Sequence, residues 1–266
     1  MTHFRYAITI VSLLVSTLGS SCWGQSDYRS TAQQPPATDT LPDSNANKQP
    51  YVLILPGILG EQFWDRNIYS GLVDYGYQGE VEIYDWTQGP LAMPVNMGGD
   101  GHQIDYLAQR ILEFKKNFPQ RRLFLIGHSG GCKMAVGVLE RLSSYKKTPV
   151  EKALLLAPCL SSRYDLRAAM SSTKSGIAAF CSPLDVPIPL PLTLAHGVAN
   201  GNVSMSAAFV GFQLPVGLAE YEQTAYRSNL YQRKYQLNMV RSGHVGGHFG
   251  WTNPKFVASY LAPLIR

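Results

Sequence analysis

Histidine is scarce in this chain, with six residues in 266, and one of the six is His3. A reaction that needs an imidazole base therefore has few candidates. Cysteine is sparser still, with four residues. Cys22 lies in an N-terminal stretch that reads as removable, which leaves Cys132, Cys159 and Cys181. Three is odd, so at least one is free or pairs between chains. Cys132 reads as a small apolar residue in a helix. Cys159 and Cys181 end two strands expected to be neighbours, which leaves both a disulfide and two separate thiols open. The chain has no internal repeat. Its net charge is +5, but the pairs Lys115-Lys116, Arg121-Arg122 and Lys146-Lys147 fall near expected helix C-termini, where cations suit the helix dipole. No basic stripe interleaved with aromatics is present, which argues against a nucleic-acid partner.

Residues 123–131 read Leu-Phe-Leu-Ile-Gly-His-Ser-Gly-Gly. A short apolar run, as a strand buried on both faces should be, ends in Gly-x-Ser-x-Gly. Met134, Val138 and Leu142 follow at helical spacing. This pattern presents a serine nucleophile, Ser129, on a sharp strand-to-helix turn. The next amide, Gly130 N–H, falls at a helix N-terminus, where backbone dipoles favour a developing negative charge. A phosphate loop is excluded, because Cys132 stands where its last glycine belongs and Met134 where Ser or Thr would hold a metal.

A serine hydroxyl needs a base within reach, and the base needs an orienting acid. His128 adjoins the serine, and its side chain should point away from it. His102 lies in a glycine-rich loop and His196 in an apolar stretch. His244 and His248 remain, in Ser-Gly-His-Val-Gly-Gly-His-Phe-Gly-Trp. We favour His248 as base, because Pro254 and a helical pattern follow it, with His244 as the alternative. Gly246 and Gly247 argue against a helix that would place the two histidines on a metal, and no Glu stands between them. No metal or cofactor is expected. Asp185, closing an apolar run at 177–180, is the favoured acid, and Asp165 the alternative. Ser129, Asp185, His248 is the chain order of one hydrolase class. The second oxyanion donor should lie in Pro56-Gly57-Ile58-Leu59-Gly60, after the first core strand; the Ile58 amide is the best choice and Leu59 the next.

Five segments carry a resemblance: Leu-Pro-Gly-Ile-Leu-Gly, Gly-His-Ser-Gly-Gly, Leu-Leu-Ala-Pro, the strand-end Asp185 and Gly-His-Phe-Gly-Trp. From about residue 51 to 266 the chain resembles an α/β-hydrolase, and within that superfamily a compact lipase or esterase. Pro56 stands where many members have His before the glycine. The resemblance implies a serine hydrolase acting on carboxylic esters through an acyl-enzyme. Acyltransferase, thioesterase or amidase chemistry would use the same triad. A catalytically silent fold that binds ligands at the cell envelope is the rival from another class.

The expected elements are strands at 51–56, 81–86, 123–127, 153–157, 177–182 and 235–240. Expected helices are 64–75, 103–118, 131–145, 218–233 and 254–265. The alternation predicts an α/β three-layer sandwich on a mostly parallel sheet of about six strands. Residues 1–24 read as a secretory signal: Arg5, then an apolar run over 6–18 too short to span a bilayer, then small residues. The expected location is periplasmic or secreted. Cys22 raises a lipoprotein anchor as the lesser option, beside an uncleaved membrane anchor. Residues 25–50 are polar and Pro-rich and read as a flexible tether. Residues 187–216 form an apolar insertion that can wall an acyl pocket or act as a small lid, and residues 88–102 are a second candidate wall. The expected substrate is a small ester with an apolar portion, with lipid or membrane-surface contact as a further option.

Overall fold

The computed structural model describes residues 49–89, 101–185 and 205–265. The expected signal, the tether up to residue 48, residues 90–100 and residues 187–204 of the insertion lie outside the described residues.

In chain order the elements are β1 (Tyr51–Leu55), α1 (Phe63–Asp74), β2 (Glu80–Ile83), α2 (Gly101–Asn117), β3 (Leu123–His128), α3 (Gly130–Ser144), β4 (Lys152–Leu156), the short α4 (Arg167–Met170), β5 (Ile177–Cys181), the short α5 (Ala207–Val210), α6 (Glu220–Asn229) and β6 (Leu230–Lys234). The strands form one sheet in the order β2-β1-β3-β4-β5-β6, and every pair is parallel. The expected sheet of about six strands is therefore present.

Alternation along the central strands builds two cores. Leu53, Leu55, Leu123 and Leu125 face a cluster with Leu107 and Ile111 of α2 and Val138, Leu139 and Leu142 of α3. Val52, Ile54, Phe124 and Ile126 face the other cluster, with Ile68 and Leu72 of α1 and Phe256, Val257 and Leu261 of the C-terminal helix. Both faces are covered, as a parallel sheet requires. Full burial of each such side chain contributes roughly 1.5–3 kcal/mol.

The sixth strand is the main departure from the sequence reading. The apolar run at 235–240 is not a strand. Residues Leu237–Ser242 form a 3-10 helix, and the strand is the polar Leu230–Lys234, overlapping the end of the expected helix 218–233. β6 is an edge strand in which only Leu230 is buried, so its side chains are mostly polar. Leu237 and Val240 are exposed and Met239 alone enters the core. The first edge strand is also shorter than expected, ending at Ile83 and not at 86. The last helix is irregular: an α-turn at Pro254–Phe256, a π-turn at Val257–Leu261 and a 3-10 turn at Ala262–Ile265. Pro263 lacks the N–H a regular helix would use there.

Register matters for the site. Leu55 pairs with Gly127, Gly127 with Leu155, and Leu156 with Phe180. Because the sheet is all parallel, the loops after β1, β3, β4 and β5 leave it at one edge, where ligands bind in such sheets.

The tightest approach is at Gly131, where an added Cβ would overlap the Leu55 carbonyl and lie 2.5 Å from the Pro56 carbonyl oxygen. Both obstacles are backbone. Gly131→Ala should lower stability by about 3 kcal/mol or prevent folding, read by urea denaturation followed by circular dichroism. A change under 1 kcal/mol would mean that this contact does not set the strand–helix geometry.

Candidate active site

β3 is buried throughout, and Ser129 follows it with φ 55° and ψ −118°. Positive φ at a non-glycine residue costs about 1–2 kcal/mol and persists only where the surroundings enforce it. They do so here. A Cβ on Gly127 would lie 2.7 Å from the Gly131 carbonyl oxygen, so only glycine lets the chain reverse into α3. The Ser129 N–H donates to the Leu156 carbonyl at 2.9 Å. The Ser129 carbonyl accepts from Cys132 N–H at 3.1 Å and from Cys159 N–H at 3.4 Å. The end of β4 is thereby stitched to the turn. Ala157, in that stitched segment, is a second non-glycine residue with positive φ, 48°.

The loop after β1 lies against this turn. A Cβ on Gly57 would stand 3.5 Å from Ser129 Cβ and 3.9 Å from Ser129 Oγ. The Ile58 amide nitrogen is 3.2 Å from where a Cβ on Gly130 would stand. The loop closes on itself through Gly60 N–H donating to the Gly57 carbonyl at 3.0 Å. Residues just past β2 hold it: Trp86 Nε1–H donates to the Pro56 carbonyl at 2.8 Å, and the Asp85 carboxylate accepts from Glu61 N–H at 2.9 Å. The sequence reading placed Asp85 and Trp86 inside a strand and gave them no role.

Asp185 and His248 meet across a sequence separation of 63 residues. His248 Nδ1 lies 2.9 and 3.1 Å from the two Asp185 carboxylate oxygens. Both residues are buried. With Nδ1–H donating to the carboxylate, Nε2 is left as the basic atom. Ser182 fixes the two loops to each other: its hydroxyl donates to the Gly246 carbonyl and accepts from Leu184 N–H at 3.1 Å.

Ser129 Oγ makes its side-chain contact with Cys159 Sγ, at 3.3 Å. Among the described residues no hydrogen bond joins it to His248. In ligand-free sites the nucleophile–base bond is often long and tightens when substrate binds. Burial pushes the Cys159 thiol up to about 11, so it is neutral and uncharged beside the serine. Cys132, Cys159 and Cys181 are all free, so the disulfide left open by the sequence is not formed.

The alternatives named from the sequence fall elsewhere. His244 is fully buried and packs edge-on against Trp251 at 4.0 Å between ring centroids. Its Nδ1 accepts from Gly246 N–H at 2.9 Å. Burial pushes its pKa down to about 4, so it is a neutral histidine packed in the core. Asp165 is half exposed, paired with Arg167 at 2.7 Å, and accepts from Arg167 N–H at the start of α4. It is placed as a helix-end residue, its carboxylate engaged by Arg167. Gln62 Nε2–H donates to the Leu59 carbonyl at 3.2 Å, which ties Leu59 to the start of α1.

His128 is buried behind the site, its ring 5.2 Å from that of His248. Its Nδ1 lies 3.5 Å from Oδ1 of the buried Asp65, a contact too long to count as a good hydrogen bond. The sequence gave no signal for Asp65. Nor does it show that the Trp64 ring packs at a tilt against Phe249, at 4.5 Å between centroids. The described end of the insertion is packed structure: Ala207 and Ala208 are buried, and their N–H groups donate to the Leu160 and Pro158 carbonyls. Among the described residues no cluster of His, Cys, Asp and Glu could hold a metal, and no helix is long and apolar enough to cross a membrane.

No protein-family model matches the sequence, and no curated protein matches it. Solved structures do match in fold. An esterase of Pyrococcus furiosus superposes with a TM-score of 0.50 at 14% identity, over 82% of this chain and 82% of that one. A poly(3-hydroxybutyrate) depolymerase from Bordetella parapertussis gives 0.47 at 14% identity, over 82% of this chain and 78% of that one. A lipase-esterase related protein from Clostridium acetobutylicum gives 0.44 at 15% identity, over 82% of this chain and 96% of that one. At such identities the likeness is one of fold.

His244 supplies a test with a definite sign. Its folded pKa, about 4, lies below the ordinary 6.5. Between those values the unfolded chain binds a proton that the folded chain does not, so stability falls as pH drops through that window. His244→Asn keeps an acceptor for Gly246 N–H. It should fold, retain turnover, and show a shallower loss of stability from pH 6.5 to 4.5 than the wild type in urea titrations. Loss of turnover in the folded variant would make His244 the base.

Proposed function

The chain has the fold of the α/β-hydrolase superfamily, and we propose that it is a serine hydrolase cleaving carboxylic esters, exported by its N-terminal segment. The observation that carries this reading is the Asp185–His248 pair at the same sheet edge as a serine held in left-handed backbone. An imidazole whose Nδ1 is bound by a buried carboxylate has its other nitrogen poised as a base.

In this mechanism Ser129 Oγ turns from Cys159 toward His248 and attacks the ester carbonyl, while His248 Nε2 takes the hydroxyl proton. Asp185 holds the ring and stabilises the imidazolium. The amides of Gly130 and Ile58 hold the oxyanion; the place of Ile58 nitrogen beside Gly130 supports that pairing. His248 returns the proton to the leaving alcohol. Water, deprotonated in its turn by His248, attacks the acyl carbon; the acyl–Oγ bond breaks, His248 returns the proton to Ser129 Oγ, and the carboxylic acid leaves. The neutral Cys159 thiol gives Ser129 a resting partner that carries no charge and forms no competing ion pair with His248. No cofactor takes part in these steps. Export is supported by the charged, apolar and small-residue pattern of residues 1–24. The expected substrate is a small ester with an apolar portion.

Ser129→Ala and His248→Ala should each lower kcat on a soluble ester by about 10³-fold or more while leaving the circular dichroism unchanged. Asp185→Asn should cost about 10²- to 10⁴-fold, and Asp165→Asn should be close to wild type. Full activity in folded Ser129→Ala would refute the serine mechanism.

A further inference from the structure

Three aromatic side chains run outward from the base. The Phe249 ring stands edge-on to His248 at 5.2 Å between centroids. Trp64 packs at a tilt against Phe249 at 4.5 Å, and Phe63 meets Trp64 edge-on at 4.9 Å. The line ends in solvent: Phe63 is 59% exposed and Phe249 36%. The rings come from two separate segments. Phe63 and Trp64 open α1, just past the loop that carries Ile58, and Phe249 follows His248. The core does not need this arrangement, since Phe63 contributes little to it. Contiguous exposed aromatics beside a reactive group mark a ligand surface.

Which part of the substrate they meet follows from the proton path. His248 Nδ1 is committed to Asp185, so Nε2 must protonate the leaving oxygen as the carbonyl carbon–oxygen bond breaks. The alcohol's first atoms therefore lie within hydrogen-bond reach of His248. Groups that continue outward from the His248 ring meet the alcohol and not the acyl chain. Resting on the ester-hydrolase reading above, we infer that Phe249, Trp64 and Phe63 form a leaving-group subsite, and that the substrate class is esters of aromatic alcohols. The tilted and edge-on angles, 39°, 67° and 89°, are those aromatic rings prefer among themselves. A flat ring on the alcohol can join the series, and each such ring pair favours binding by roughly three- to tenfold beyond area alone.

Three esters isolate the claim. Ethyl acetate has no ring, benzyl acetate carries one on the alcohol, and ethyl phenylacetate carries one on the acyl group. With the purified mature chain, kcat/KM for each is divided by its rate of hydrolysis in hydroxide. Benzyl acetate should exceed each of the other two by about tenfold or more. Phe63→Ala and Trp64→Ala should each reduce the benzyl-to-ethyl ratio at least threefold, whereas Tyr221→Ala, on the exposed face of α6, should keep it. Phe63 is largely exposed, so its variant reports even if Trp64→Ala disturbs the fold. Equal rates on all three esters, preference for the acyl-side ring, or a ratio retained in both aromatic variants would overturn the subsite while leaving the hydrolase reading intact. Turnover of none of the three would overturn the ester-hydrolase reading, and the subsite with it.

Discussion

The left-handed backbone at Ser129 depends on how closely β1, β3 and α3 approach one another. Gly127 and Gly131 let the chain reverse where a side chain would strike backbone carbonyls. The Leu156 carbonyl then captures the Ser129 N–H, and the Ser129 carbonyl captures two amides in return. These bonds hold a conformation that would otherwise relax, since its intrinsic cost is about 1–2 kcal/mol. The same closeness brings the loop after β1 against Gly130, so one steric arrangement both presents the hydroxyl and places a neighbouring amide beside it.

Asp185 and His248 reach that edge by separate routes, and Ser182 couples them. It ties the segment leaving β5 to the Gly246 carbonyl, two residues before His248. The two histidines of that loop illustrate how far environment decides role. His244 lies inside a cage of Tyr235, Trp251 and Phe256, with a backbone N–H on one nitrogen and a strongly depressed pKa. His248, four residues on, faces a carboxylate. One builds the core under the loop; the other has its Nδ1 bound by the Asp185 carboxylate.

The parts legible in the sequence are those where local chemistry is restrictive. Gly127, Ser129 and Gly131 declare a turn because few residues fit it, and the continuous apolar runs of β1, β3, β4 and β5 declare strands buried on both faces. Strand-end position and chain order point to Asp185 and His248, and the fold does bring those two together. The edge strand was misread for a physical reason. A strand with one free edge need not be apolar, so Leu230–Lys234 passed for helix while the apolar 235–240 passed for strand. Asp65 beside His128, Trp86 under the Pro56 carbonyl, Cys159 against Ser129 and Trp64 against Phe249 are illegible in the sequence, because each is a contact between segments with no local pattern of their own.

The central claim is that Ser129 is an activated nucleophile. Reaction of the purified protein with a fluorophosphonate probe, followed by peptide mapping, tests it most directly. The account predicts a single adduct on Ser129, lost in Ser129→Ala and strongly slowed in His248→Ala. A folded protein that takes up no label, or takes it up elsewhere, would contradict it.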